Sequence, residues 1–214
     1  MKKTTVLAAF LILSLLGCNT TTGPDSGNTT QPPDPAIVAD FPNRVGNRWI
    51  YSYYDSLSHH SDTVTVTIVG QTTIPGNIPA TIWQREFRSY ADTAYVTVSH
   101  DTSSDTVRII SQRNLDGQWD NTKFIFPLHV GSGWRGDFVS DTSTVIENRP
   151  ITVIAGTFVN AFRIKERWGA FNDYGDVSTW LVPEVGAVKI HRNVRRWTEW
   201  ANEVWELMSY NVSA

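Results

Sequence analysis

One cysteine stands in the 214 residues, at Cys18, so no disulfide within the chain can staple its fold. Basic residues are also scarce, 18 Lys and Arg against 21 Asp and Glu for a net charge of −3. A chain without a basic footprint is not built to hold nucleic acid. The longest greasy run, Val6 to Leu16, is too short to span a bilayer as a stable helix. After it, no stretch before the carboxyl end carries a convincing helical stripe. The signatures G-x-S-x-G, H-E-x-x-H and the P-loop are missing. No residue is therefore given a catalytic, cofactor-binding or metal-binding role, and an all-β, non-catalytic protein is the leading expectation.

What is present begins with Met1-Lys2-Lys3, eleven mostly apolar residues, and Gly17 before Cys18. That order of charge, grease and small residue predicts a secretory signal peptide over residues 1–17. Leu15-Leu16-Gly17-Cys18 resembles the lipobox of bacterial lipoproteins, although Leu16 stands where that family prefers a smaller or β-branched residue. The resemblance implies a diacylglyceryl group on the Cys18 thiol, a further acyl chain such as palmitate, and cleavage that makes Cys18 the new amino terminus. Each buried methylene holds by ~0.8 kcal/mol, so two or three chains anchor stably where one does not. Asn19 in the next position implies, by the same resemblance, the outer membrane of a Gram-negative envelope. Loss of residues 1–17 removes Lys2 and Lys3 but no acid, which leaves a net charge of about −5.

From Asn19 to Pro35 every residue is Thr, Ser, Asn, Gln, Asp, Gly or Pro. Such a stretch has too little apolar surface to offset the entropy of folding. Residues 18–35 thus read as a lipidated cysteine and a tether, with a flexible-chain span of ~23 Å. Residues 36–214 are long enough for one large domain with its own core.

Within that domain Phe41-Pro42-Asn43-Arg44-Val45-Gly46-Asn47-Arg48-Trp49 returns as Phe126-Pro127-Leu128-His129-Val130-Gly131-Ser132-Gly133-Trp134, 85 residues on. Ile74-Pro75-Gly76 and Ile154-Ala155-Gly156 match at a spacing of 80, and Val107-Arg108-Ile109 and Val188-Lys189-Ile190 at 81. Three matches in order predict two related halves, about 41–122 and 123–214. The period is too long for a solenoid.

The local periodicity is that of strands. Thr63-Val64-Thr65-Val66-Thr67-Ile68-Val69 alternates hydroxyl and aliphatic side chains, and Thr93 to Val98 repeats the habit. Strands are also expected over 49–54, 81–87, 106–111, 123–126, 134–139, 145–154, 158–168, 177–182 and 187–191, with Gly, Pro, Asn and Asp between them as turns. The predicted fold is an antiparallel, strongly curved sheet, an open or half barrel, with a sandwich as the alternative. Trp197, Trp200, Ala201, Val204 and Met208 also fit a helical stripe. The β-branched and aromatic content favours a hairpin there, Val194–Trp200 and Glu203–Tyr210 about an Ala201-Asn202 turn.

Several patterns carry chemistry elsewhere and a plain structural meaning here. Gly131-Ser132-Gly133-Trp134-Arg135-Gly136 satisfies G-x-G-x-x-G, but no helical run follows, so it reads as a tight turn. His59-His60 with Asp62 reads as a hairpin tip, because neighbours on a strand face opposite ways and rarely share a metal. Asp116-Gly117 with Asp120, and Asp173 with Asp176, lack the oxygen density of a calcium loop. Of the nine tryptophans, Trp49 and Trp134 begin matching strands and read as anchors, whereas Trp119, between Gln118 and Asp120, is expected at the surface. Lys189, His191, Arg192, Arg195 and Arg196 form the basic cluster and run into Trp197 and Trp200. It is open to two meanings, a charged strand guarded against edge pairing, or a contact for acidic lipid headgroups or an anionic glycan. Trp119, Arg192, Arg195, Arg196, Trp197 and Trp200 are accordingly the candidate contact residues.

Phe41 to Trp49, Ala155-Gly156-Thr157-Phe158 and Pro183-Glu184-Val185-Gly186-Ala187-Val188-Lys189 resemble recurring elements of uncharacterised bacterial secreted lipoproteins. That resemblance implies an open, curved sheet comparable to lipoprotein-carrier half-barrels and supplies no catalytic residue. The expectation is a lipid-anchored envelope protein whose concave face binds a ligand or protein partner. An envelope hydrolase using His100, His129 or His191, and a structural module of an envelope assembly, are the alternatives.

Overall fold

A computed structural model of the protein describes residues 41–112, 122–135, 142–170, 173–196 and 199–213. Twelve strands follow one another in it: β1 (Arg48–Asp55), β2 (His60–Ile74), β3 (Ile78–Glu86), β4 (Ala91–His100), β5 (Asp105–Ser111), β6 (Thr122–Phe126), β7 (Gly133–Arg135), β8 (Thr142–Val153), β9 (Gly156–Ala170), β10 (Asp173–Val182), β11 (Gly186–Arg196) and β12 (Glu199–Asn211). They form one antiparallel sheet in the order β6-β5-β4-β3-β2-β1-β12-β11-β10-β9-β8-β7. Each strand pairs with its chain neighbour except at one place, and there is one further pairing. The first strand pairs with the last, Arg48 opposite Asn211 and Asp55 opposite Glu203. Across β6 and β7 no ladder forms among the described residues, which leaves one unsealed seam in a nearly closed barrel. The sandwich alternative is set aside, because a single sheet curls upon itself.

Alternation decides which side chains go inside. On β2, Val64, Val66 and Ile68 are buried while Thr63, Thr65 and Thr67 are not. β1 turns Trp49 and Tyr51 inward, and β12 answers with Ala201 and Leu207. Each aliphatic side chain so enclosed contributes roughly 1.5–3 kcal/mol. The inside is packed with them. Phe41, Phe124, Phe126, Leu128, Val145 and Ile164 belong to one cluster, and Trp49, Tyr51, Val64, Val188 and Leu207 to another. A stack of rings joins the two, since Trp83 lies 5.8 Å from Phe41 on one side and 5.1 Å from Trp49 on the other.

The two matching nine-residue segments make the same bonds. Gly46 N–H donates to Ile68 O (2.8 Å) and Ile68 N–H to Asn47 O (3.0 Å). Eighty-five residues on, Gly131 N–H donates to Val145 O (2.8 Å) and Val145 N–H to Ser132 O (2.9 Å). Both glycines sit at positive φ, +94° and +91°, where a side chain is strained, which is why glycine occupies this place twice. Behind Gly131 comes a strand rather than a helix, so the G-x-G-x-x-G pattern opens β7 and no dinucleotide site.

Two expectations need correction. The carboxyl end is a hairpin and not a helix, but Ala201 and Asn202 lie inside β12, opposite Val194 and Asn193, rather than in its turn. Ala201 shares the buried face with Glu203 and Leu207, and keeping that alternation unbroken outweighs the turn preference of Asn202. The basic strand is no edge either. β11 lies between β10 and β12, so protection against edge pairing does not account for its charge.

Candidate functional site

Parity along β11 splits the basic cluster between two faces. Arg192 shares the inward face with Val188 and Val194 and lies opposite Glu203 of β12, its Nη1 3.4 Å from Oε2. Glu203 is only 8 % exposed. On the outer face Lys189 is 3.6 Å from Glu206 and His191 Nε2 is 3.3 Å from Asn202 Oδ1. The basic strand thus has an acidic strand beside it, and two of its cations, Lys189 and Arg192, are answered within the sheet.

Arg195 has a different setting. Its Nη1 donates to the Tyr174 hydroxyl (2.9 Å) and its guanidinium lies 5.5 Å from the centre of the Tyr174 ring. Tyr174 in turn meets Trp200 edge to face at 5.6 Å and 86°. The backbone sets up this ladder, with Tyr174 opposite Arg195 and Arg195 opposite Trp200 across β10, β11 and β12. Trp200 is 46 % exposed and Tyr174 36 %. No carboxylate pairs with Arg195 among the described residues. The structure therefore brings together Arg195 and Trp200, adds Tyr174, and turns Arg192 away from them. Trp119, Trp197 and the side chain of Arg196 lie outside the described residues.

At the same end of the barrel is an aromatic group, its Tyr53, Phe87 and Trp205 partly buried and its Tyr90 exposed. Tyr53 meets Phe87 and Trp205 edge to face at 5.8 and 5.2 Å, and Tyr90 stacks on Phe87 at 4.3 Å. Burial, reinforced by the Glu203 and Asp55 carboxylates, pushes the Tyr53 hydroxyl up to about 12, so it is a neutral hydrogen-bonding group across the physiological range. Its one sequence signal is the cross-strand pairing of Tyr53 with Trp205, visible only once β1 and β12 are known to be partners.

The histidines go separate ways. His100 Nδ1 is 2.8 Å from Asp105 Oδ1 where β4 gives way to β5, His129 is exposed on a turn, and His191 meets Asn202. None of the three hydrogen-bonds to a serine among the described residues. His59, at φ +51°, and His60 form the β1–β2 tip. No group of three metal-ligating side chains occurs among the described residues.

At the opposite end of the barrel the segment Phe41–Asn47 borders a cleft of about 300 Å³. Gln71, Thr72 and Thr73 of β2 line it, together with Pro79, Ala80 and Thr81 of β3. Val96 and Asn43 complete the lining. Asn43 Oδ1 accepts from Thr81 Oγ1 (2.6 Å) and from the Trp83 indole N–H (2.8 Å). An indole N–H only donates, so this contact fixes which end of the carboxamide is oxygen. The other end, Nδ2, is buried and meets no acceptor among the described residues.

No protein-family model matches the chain, and no curated protein matches it. Two solved structures resemble it. One is a protein of Parabacteroides distasonis, provisionally described as a lipoprotein, 12 % identical over 80 % of this chain and 97 % of that one with a TM-score of 0.42. The other is a protein of Bacteroides fragilis, provisionally described as exported and as having a YmcC-like fold, 10 % identical over 82 % of this chain and 100 % of that one with a TM-score of 0.43.

Proposed function

We propose that the chain is a non-catalytic cell-envelope lipoprotein, anchored at the outer membrane through Cys18, whose β-domain binds an anionic envelope ligand at Tyr174, Arg195 and Trp200. In this view the domain is a duplication of two six-strand halves, and the shared turn bonds at Gly46 and Gly131 support it. One observation carries the binding role. Arg195 lies against an exposed aromatic pair with no carboxylate partner among the described residues, while Lys189 and Arg192 are matched by Glu206 and Glu203. A guanidinium held against a ring has its remaining N–H donors set for phosphate or carboxylate oxygens. The packed interior favours recognition on this outer surface.

Two experiments test the parts separately. Incorporation of a clickable palmitate analogue into the full-length protein in its host is expected, and Cys18→Ser is expected to abolish it; label that persists in the variant overturns the anchor. For the ligand, the secreted chain beginning at Asn19 is sedimented with phosphatidylglycerol vesicles, with phosphatidylcholine vesicles, and with an immobilised acidic polysaccharide. Retention on the vesicles or on the polysaccharide that Arg195→Ala removes supports the role and identifies the source of the anion. Equal retention on neutral vesicles, or none on any support, rejects it.

A further inference from the structure

Both ends of the described chain meet at one end of the barrel, the end opposite the Arg195 ladder. The chain enters there with Phe41, and Ser213 returns there after β12, its N–H and Oγ donating to Asn47 Oδ1 at 2.9 and 3.0 Å. Residues 19–40 alone separate Phe41 from Cys18. A pull through Cys18 therefore acts on this end of the domain.

The same end exposes apolar side chains on two segments that touch. The tip of the β8–β9 hairpin meets β12, where Ala155 N–H donates to Leu207 O (2.8 Å) and the Phe158 ring lies 6.0 Å from that of Tyr210. Each segment is bulged at this point. Val159 and Asn160 of β9 stand against Pro150 of β8, between the pairs Ile151–Phe158 and Arg149–Ala161, and Met208 is the extra residue of β12 against Ile50 and Tyr51. A bulge re-aims its side chains. Val159 is 77 % exposed, more than any other large apolar side chain among the described residues, and Ile154, Met208 and Tyr210 are exposed as well. Single exposed apolar residues are ordinary. Four on two touching segments make a patch.

The rim of the patch is basic. Arg149 follows on the same hairpin, Arg48 lies opposite Asn211 beside Tyr210, and Arg44 opens the turn to Asn47, all three exposed. The carboxylates on the same strands are engaged, Glu147 by Arg149 (3.1 Å) and Glu206 by Lys189 (3.6 Å). Glu184 is exposed in the turn before β11, whereas Asp101 and Asp105 belong to the β4–β5 connection, four strands from β12 in the sheet. Aliphatic side chains and a tyrosine rimmed by arginines suit the headgroup layer of a bilayer, where apolar bodies enter and charged tips stay wet.

From these features we infer that this end of the domain seats on the lipid bilayer that holds Cys18, with Ile154, Val159, Met208 and Tyr210 in the headgroup layer. The inference rests on the Cys18 anchor proposed above. So small a patch does not hold a free chain on a membrane, but on a tethered chain, whose concentration at the surface is high, it sets the orientation. The Arg195 ladder then faces away from the anchoring bilayer.

The test uses the mature lipoprotein in phosphatidylcholine vesicles, a neutral lipid on which an anion site plays no part. With the Cys18 sulfur occupied by lipid, an introduced cysteine is the one free thiol. Nitroxide labels are placed at Ile154→Cys, at Val159→Cys and, on the β1–β2 tip at the ladder end, at Ser58→Cys, and flotation with the vesicles is measured first. In the floated protein the ratio of oxygen to nickel-chelate accessibility at 154 and 159 is expected to rise at least about threefold over the same label in the soluble chain beginning at Asn19, and to stay unchanged at 58. Val159→Glu, at a site outside the core, is expected to return the label at 154 to its soluble value. Protein that floats with the labels at 154 and 159 as wet as in the soluble chain, or with the label at 58 in lipid, overturns this inference and leaves the anchor standing. Protein that fails to float overturns the anchor and this inference with it.

Discussion

The indole rings of Trp49 and Trp83 lie nearly parallel inside the barrel, centroids 5.1 Å apart and planes 14° from each other. Trp49 also donates its indole N–H to Val185 O at 2.6 Å, across 136 residues of sequence. Trp134, at the matching sequence position, differs in both respects. It is only partly buried, and its Nε1 meets no acceptor among the described residues. Trp49→Phe therefore removes a bond and leaves a carbonyl unsatisfied, whereas Trp134→Phe removes a donor that had no partner. Urea unfolding should show a loss of about 2 kcal/mol or more for the first. The second should cost at least ~1 kcal/mol less, and equal losses would mean the two tryptophans are held alike.

Gly175 is held by close approach rather than by backbone conformation. A Cβ there would lie 2.6 Å from Asn193 O and 3.1 Å from Val194 Cα, both backbone atoms of β11, with the Trp168 ring at 3.2 Å. Gly70, beside the β2 bulge, would meet only the tip of Ile82 at 3.9 Å. Gly175→Ala is expected to destabilise by about 1–3 kcal/mol, as overpacking does. Gly70→Ala should stay within ~0.5 kcal/mol of the parent. Thermal melts of the two variants decide whether β10 and β11 are as closely apposed as this geometry requires.

Asp62 ties the start of β2 to the turn between β3 and β4. Its Oδ2 accepts from Arg88 N–H at 3.0 Å and its Oδ1 from Thr63 N–H at 2.7 Å. These two bonds, chiefly that from Arg88, hold the carboxyl below its ordinary value, with His60 adding a smaller pull. A depressed carboxyl stabilises the fold above the unfolded-state value of ~3.9 and loses that contribution as pH falls through the folded value. The urea midpoint of the parent should thus drop more steeply below pH ~4 than that of Asp62→Asn, which has no charge to lose. Parallel acid limbs would show that the carboxylate is not held in this way.

Much of this fold was legible in the sequence because the signal was local. Alternating Thr and Val over Thr63–Val69 can be read without knowing what lies across from it, and the same is true of Val107 and Val188 as buried strand positions. The strand-opening tryptophan at 49 was legible for the same reason. What was hidden depended on pairing. The acid partners of Lys189 and Arg192 sit on β12, and a turn placed at Ala201-Asn202 puts Glu203 and Glu206 out of register with them. Asn43 reads as an ordinary loop residue after Pro42, since its bonds go to Thr81 and Trp83, 38 and 40 residues away. Tyr174 was missed because only the β10–β11 register places it on Arg195.

That register makes Arg192 and Arg195, three residues apart on one strand, opposites in what they do. Arg192 faces inward and answers Glu203, which is 8 % exposed. Its truncation takes a cation away from a carboxylate that solvent scarcely reaches, and because the Arg192 side chain is itself 41 % exposed, Arg192→Ala is expected to cost about 1 kcal/mol of stability. Arg195 faces outward on Tyr174, where its packing is open to water. Arg195→Ala should shift stability by no more than ~0.5 kcal/mol while removing any affinity for anions on that face. Measuring both variants by urea unfolding and by vesicle or polysaccharide retention separates the two roles. A stability loss at Arg195 as large as that at Arg192 would make the outer ladder a structural brace, and the proposed anion site would lose its principal residue.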